Sequence, residues 1–247
     1  MKEILKLEFR KLRKQKGFYI AILWMSAMIL AQLIVSKLLS VPDGMGGTTT
    51  ALTFALDAYG NASFSIFAAI LVALIVCDDY EQQILKNILS RGYSRNCFYF
   101  SKMIYVWAVT TILYVYIVCF SLVIGIVGYE SDSNVGTFIG ILLAQYVSVL
   151  AEIALYFAMS ILIRKTGGSI AVNIVATLLL GSLLTLADTM LKLDSFHISD
   201  YWLTSFTSSL SNMNVSTSRL ITCLIGSVIY MGAFGVIGFL RNRRTEI

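Results

Sequence analysis

A carboxylate in the middle of an apolar run is the residue with the most chemistry to offer in this chain. Glu152 lies near the centre of the continuous hydrophobic stretch Val135–Ile163. Gln145 and Ser148 precede it at i, i+3, i+7 spacing, which sets a polar stripe on one helical face. An ionisable group at such depth costs several kcal/mol, about 2.5 or more, and marks a functional hypothesis by default. It could relay a proton, touch a substrate, or hydrogen-bond to a Ser, Thr or Asn of a neighbouring helix, such as Asn173. The last is the ordinary role, because polar side chains commonly join membrane helices. One acid without a partner base does not make a proton-coupled transporter.

Other chemistry is scarce. There is a single histidine, His197, so histidine-rich metal sites and His-based dyads have little to draw on, and no metal site or catalytic residue is expected. Cys77, Cys97, Cys119 and Cys223 form no C-x-x-C pair and read as free thiols. No Gly-x-x-x-x-Gly-Lys-Ser/Thr loop is present to cradle nucleotide phosphates. An intramembrane enzyme therefore lacks its paired residues.

A second feature is a charged, amphipathic stretch, 78–98, between two long apolar runs. A simple connection would need only a few residues. A helix from Asp79 would put Tyr80, Ile84 and Ile88 on one stripe with Leu85 and Leu89 beside it. Asp78, Asp79 and Glu81 would open that helix, Arg91 and Arg95 would lie near its C-terminal end, and Gly92 would cap it. The plain alternative is a solvated juxtamembrane helix without a partner.

The elements that must position these residues follow from composition. The 247 residues are 57% hydrophobic and only 13% charged, with mean hydropathy +0.79. Soluble domains carry about 25% charged residues, so this is an integral membrane protein. The apolar runs are long and unbroken, which selects helices over β-strands. Six spans are expected, near 18–39, 56–77, 103–127, 135–163, 168–190 and 220–240. The second is the weakest, with Asp57 and Asn61 at its start. Residues 1–17 read as an amphipathic interfacial elbow helix, with Leu5, Phe9 and Leu12 on one face and Lys6, Arg10, Arg13 and Lys14 beside it. The aromatic stretch within Lys192–Ser218 is expected to lie back on the bilayer interface.

Basic residues set the orientation. The N-terminal arm, the 78–102 region, Arg164–Lys165 and the C-terminus hold 16 of the 19 lysines and arginines. The positive-inside rule then places both termini in the cytoplasm. The net charge of +5 follows from this asymmetry and does not argue for nucleic acid.

The segment Asp79-Tyr80-Glu81-Gln82-Gln83-Ile84-Leu85-Lys86-Asn87-Ile88-Leu89, followed by Gly92-Tyr93-Ser94-Arg95 and Ser101-Lys102, resembles the cytoplasmic segment of type 2 ABC transporter permeases. The family often has Gly-Thr where this chain has Gln83-Ile84. The resemblance implies a six-span, all-α permease domain over 18–247. Its coupling helix would seat in a groove of a separate ABC ATPase, present in two copies, through Asp78, Asp79, Tyr80, Glu81, Ile84, Leu85, Arg91 and Arg95. ATP and Mg would be bound by that subunit, leaving no cofactor in this chain. A second permease, identical or homologous, would complete the pathway in the plasma membrane of a bacterium. The small outer loops are most like the peptide-export and lantibiotic-immunity subgroup, which implies export of an amphipathic or hydrophobic peptide or lipid-like substrate. The rival reading is a non-transporting scaffold or sensor that recruits a cytoplasmic protein.

Overall fold

Continuous apolar sequence leaves the backbone no partner but itself, and the chain satisfies its N–H and C=O groups within helices. The computed structural model describes residues 2–12, 16–38, 50–60, 62–90, 92–130, 134–191 and 197–244. In chain order the helices are α1 Lys2–Leu12, α2 Lys16–Leu38, α3 Ala51–Gly60, α4 Ala62–Glu81 and α5 Ile84–Ser90. There follow α6 Arg95–Gly128, α7 Val135–Ile163, α8 Thr166–Leu191, α9 Leu203–Ser209 and α10 Thr217–Arg244, with a 3₁₀ turn at Ile198–Tyr201 before α9. No strand occurs among the described residues. Five helices are long and apolar enough to cross a membrane, or six spans when α3 and α4 count as one.

α7 is the hub. Its apolar stretch is 61% buried inside the protein, against 33% or less for the other four long helices. α4, α8 and α10 pack around it, and α6 covers α3. The outer surfaces of α2, α8 and α10 are lined with exposed Leu, Ile and Val, as a lipid-facing surface requires.

The expected second span, 56–77, is not one helix. It starts at Ala51 and breaks after Gly60, with the two halves inclined at 41°. Gly60 and the polar Asn61 are weak helix formers at that point. Asn61 and residues 39–49, including Pro42, lie outside the described residues. α3 nevertheless buries Phe54, Ala55, Leu56 and Tyr59 almost completely. Gly125 permits the close approach of α3 to α6: a Cβ at 125 would stand 2.8 Å from the Ala51 carbonyl oxygen. Asp57 is paired, accepting from Gln32 Nε2 at 2.7 Å.

The third span also differs from expectation. α6 begins at Arg95 rather than 103, so residues 95–98 of the expected coupling segment are its first turn. Ser94 caps it, accepting from the Cys97 N–H at 3.3 Å. With 34 residues α6 is about 51 Å long, more than the bilayer core of about 30 Å.

The segment expected to lie on the bilayer interface packs into the bundle over its described part, 197–210. Leu203, Phe206 and Leu210 are buried in the bundle, and Trp202 and Phe206 pack on Tyr230 of α10. Gly226 makes room for Phe206, since a Cβ there would meet its ring at 2.7 Å. Asp188 holds the preceding turn by accepting from the N–H groups of Ile198 and Ser199, both at 2.9 Å. Hydrophobic side chains with a folded backbone between them are more stable inside the protein than at an interface.

Candidate functional site

Two sites emerge, one at the end of the bundle that carries the basic residues and one at its centre. At the basic end α1, the α4–α5–α6 junction, the α7–α8 junction and the end of α10 meet. α4 continues through Asp78, Asp79, Tyr80 and Glu81 before it stops, so these acids end a helix instead of opening one. The expected stripe Tyr80–Ile84–Ile88 is therefore interrupted. Gln82 and Gln83 form the break, with Gln83 at φ 55°, a left-handed conformation that costs a non-glycine residue about 1–2 kcal/mol. This is the position where the resembled permeases often carry glycine. α5 then presents Ile84, Leu85 and Ile88 half-buried.

Three acids at the C-terminal end of α4 oppose its own dipole, and other elements neutralise them. Asp79 is fully buried, and its carboxylate accepts from the Lys102 ammonium and from Lys11 Nζ at 2.5 Å. Lys102, itself 3% exposed, also donates to both oxygens of Glu8 at 3.1 Å. Two carboxylates and two ammonium groups thus tie α1 to α4 and α6. Asp79 is not a surface contact, and this is a correction to the sequence reading. Burial pushes the Glu8 carboxyl up, against the pull of Lys102. Burial draws the Lys11 ammonium down, but Asp79, Glu8 and Asp78 outweigh it and hold it above 10.5. The stripe of α1 that faces the bundle is Leu5, Glu8 and Leu12, whereas Phe9 is 39% exposed and touches Tyr105 edge-on.

Glu81 and Tyr80 reach a different neighbour. Glu81 accepts from the Thr166 N–H at 2.7 Å and so caps the first turn of α8. The Arg164 guanidinium lies 5.0 Å from the Tyr80 ring centroid. Arg164, the C-cap of α7, also has a left-handed φ of 59°. Two strained helix exits, at Gln83 and Arg164, are therefore sewn together. Asp78 accepts from Gln82 Nε2 at 2.5 Å and remains half-exposed. Arg95 starts α6, where its carbonyl accepts from Asn242 Nδ2 of α10 at 3.3 Å. Gly92 has φ 84°, the cap conformation expected of it. Arg91 lies outside the described residues. Sequence reasoning missed Glu8 and Lys102 as partners. The signal available was Lys102 itself, a lysine inside a helix otherwise turning apolar.

At the centre, Gln145, Ser148 and Glu152 are all buried on α7, each bonded to a different element. Gln145 Nε2 donates to the Leu56 carbonyl of α3 at 3.1 Å. Ser148 accepts from Ser227 of α10 at 2.9 Å. Glu152 accepts from Ser65 of α4 at 2.8 Å and from Thr207 of α9 at 3.0 Å. Asn173, the suggested partner, instead donates to Ser160 Oγ at 3.3 Å and to the Ala69 and Tyr156 carbonyls. Thr207 carries no periodic signal, and only the packing of α9 into the bundle brings it to Glu152.

Five or six membrane-length apolar helices make this a multi-pass membrane protein. Residues 4–181, α1 to the middle of α8, match the family described as ABC-2 family transporter protein. The chain belongs to that family and is a permease subunit, whose relatives generally work with an ATPase subunit. No curated protein matches the chain.

Proposed function

We propose that the chain is the membrane half of a bacterial ATP-driven exporter, with α5 as the element that receives the stroke of a separate ATPase. The observation that carries this reading is the break at Gln82–Gln83 followed by a short amphipathic helix, set at the same end as α1 and the α7–α8 junction. A movement of α5 would reach α8 through Glu81 and Thr166, and α1 and α6 through Asp79. Both termini face the cytoplasm in this reading, and α1 lies in the inner headgroup layer. Two permeases, identical or homologous, flank a pathway for an amphipathic or hydrophobic substrate, a peptide or lipid-like molecule, with two ATPase copies beneath. The lantibiotic-immunity subgroup rests on resemblance alone.

The test uses the exposed and half-exposed residues, because reversing buried Asp79 would disrupt the bundle end. Co-purification should retain an ATPase, and Ile84→Glu with Leu85→Glu should release it while the permease stays folded. Reconstituted complex should show substrate-stimulated ATP hydrolysis. Recruitment of a partner without any stimulation would instead support a scaffold.

A further inference from the structure

A groove of about 350 Å³ runs between α4, α8 and α9, and eight of its ten lining residues are serine or threonine. The other two are Leu178 and Gly181, so no charged side chain lines it. Ser65 and Thr207 close its floor and donate to Glu152 behind them, which seals that acid away from the groove. The exposed positions of α8 fall on two faces of opposite character. Val172, Val175, Leu179, Leu183, Leu186 and Met190 form one, as a lipid contact requires. Leu178, Ser182 and Thr185, at i, i+4, i+7, form the other and line the groove opposite Thr204, Ser205 and Ser208.

Depth makes this hydroxyl lining unusual. At about 1.5 Å per residue, Thr177 lies about 16 Å and Thr185 about 28 Å along α8 from Thr166. Against a hydrocarbon core of about 30 Å, the groove therefore descends from one edge of the span to its middle. Ser182, Thr185 and Ser208 donate to the carbonyls of Leu178, Ser182 and Ser205, which leaves their lone pairs open. The Thr204 and Ser205 hydroxyls make no hydrogen bond to another described residue. Neutral donors thus stand beside neutral acceptors. A lipid tail in the groove would pair with neither and leave the two free hydroxyls unsatisfied, and an ion would find no opposite charge there. Water supplies both a donor and an acceptor.

We propose that the groove is a water-filled vestibule, which carries solvent from one membrane surface to mid-bilayer depth at Ser65, Thr177 and Thr207. It has room for on the order of ten waters, each occupying about 30 Å³. The Leu and Val face of α8 stays in lipid while the hydroxyl face of the same helix stays wet. The vestibule goes beyond the permease reading and takes from it only the side of the membrane on which the groove opens, opposite the basic end.

Neighbouring residues at matched depth give the test. Cys77, Cys97, Cys119 and Cys223 are replaced by Ala, and single cysteines are introduced as the pairs Ser182→Cys with Leu183→Cys and Thr185→Cys with Leu186→Cys. All four positions are exposed, so none of the changes opens a cavity. The chain in phosphatidylcholine proteoliposomes is treated with membrane-impermeant sulfonatoethyl methanethiosulfonate. The thiolate is the reacting form and needs water to ionise, so each groove cysteine should react at least about tenfold faster than its lipid-facing neighbour. Ser182→Leu with Thr185→Leu should dry the groove and slow a cysteine at Ser208 to the rate of the Leu positions. Equal rates within the pairs, or an unchanged rate at 208 in the double Leu variant, overturns the vestibule. Groove labelling only from the side of the basic end would overturn the orientation used in the permease reading and leave the vestibule standing. Failure of an ATPase to co-purify would sink the permease reading without altering the paired rates.

Discussion

The Glu81 carboxylate accepts from the Thr166 backbone N–H at 2.7 Å, so the last residue of α4 caps the first turn of α8. The same acid that opposes the dipole of its own helix is favoured by the dipole of another. Glu81→Ala should cost about 1 kcal/mol, the usual loss of a helix cap. Glu81→Lys should cost more by adding repulsion. Unfolding of the purified protein in detergent checks the order Glu81→Gln, then Ala, then Lys.

Lys102→Met should be among the most damaging single changes. It leaves the Asp79 and Glu8 carboxylates buried without their shared partner, a loss of about 3–5 kcal/mol. Adding Asp79→Asn and Glu8→Gln to Lys102→Met should recover much of it. A triple variant no more stable than the single one would show that the cluster is not the cause.

Gly226→Ala and Gly232→Ala form a matched pair on α10. The first drives a methyl to 2.7 Å from the buried Phe206 ring, and overpacking of that kind costs about 1–3 kcal/mol. The second meets nothing within 4 Å and should gain up to about 1 kcal/mol of helix propensity. Thermal unfolding should move in opposite directions for the two.

Gln83→Gly should be neutral or stabilising, because it relieves a left-handed backbone at φ 55° worth about 1–2 kcal/mol. Gln83→Val should destabilise the α4–α5 break, since a β-branched residue is a true outlier there. Proteolysis at the junction distinguishes them, with faster cleavage expected for Val.

Docking of α1 should fail at alkaline pH. The folded Lys11 value lies above its ordinary 10.5. Its contribution is therefore fully present below about pH 10.5 and is lost as pH rises through the folded value. A spin label at exposed Leu7, paired with one on α6, should report a constant distance from pH 7 to about 10.5 and release only above that. Lys11→Met should loosen α1 already at neutral pH.

Residue type and spacing made much of this legible. Helices, their approximate ends and the basic end all follow from apolar run length and the placement of lysine and arginine. The bounds of α7 agree with the expected span, Val135–Ile163, because nothing along it competes with helix. Gly92 takes the cap conformation its type suggests, at φ 84°. Helix boundaries near charge were misread for one reason: Asp79, Tyr80 and Glu81 look like a helix start locally, and only Lys102, Lys11 and Thr166, distant in sequence, make them stable at a helix end.

The chain's one-dimensional pattern thus determined that it spans a membrane as helices, and that Glu152 sits at depth within one of them. Which groups meet Glu152 was decided in three dimensions. Ser65 and Thr207 stand 87 and 55 residues away in sequence, and no local rule links them. The packing of α9 into the bundle, driven by burial of Leu203, Phe206 and Leu210, delivers Thr207 to that carboxylate. Hydrophobic burial is non-directional, so a sequence announces that such residues will be buried without saying against what.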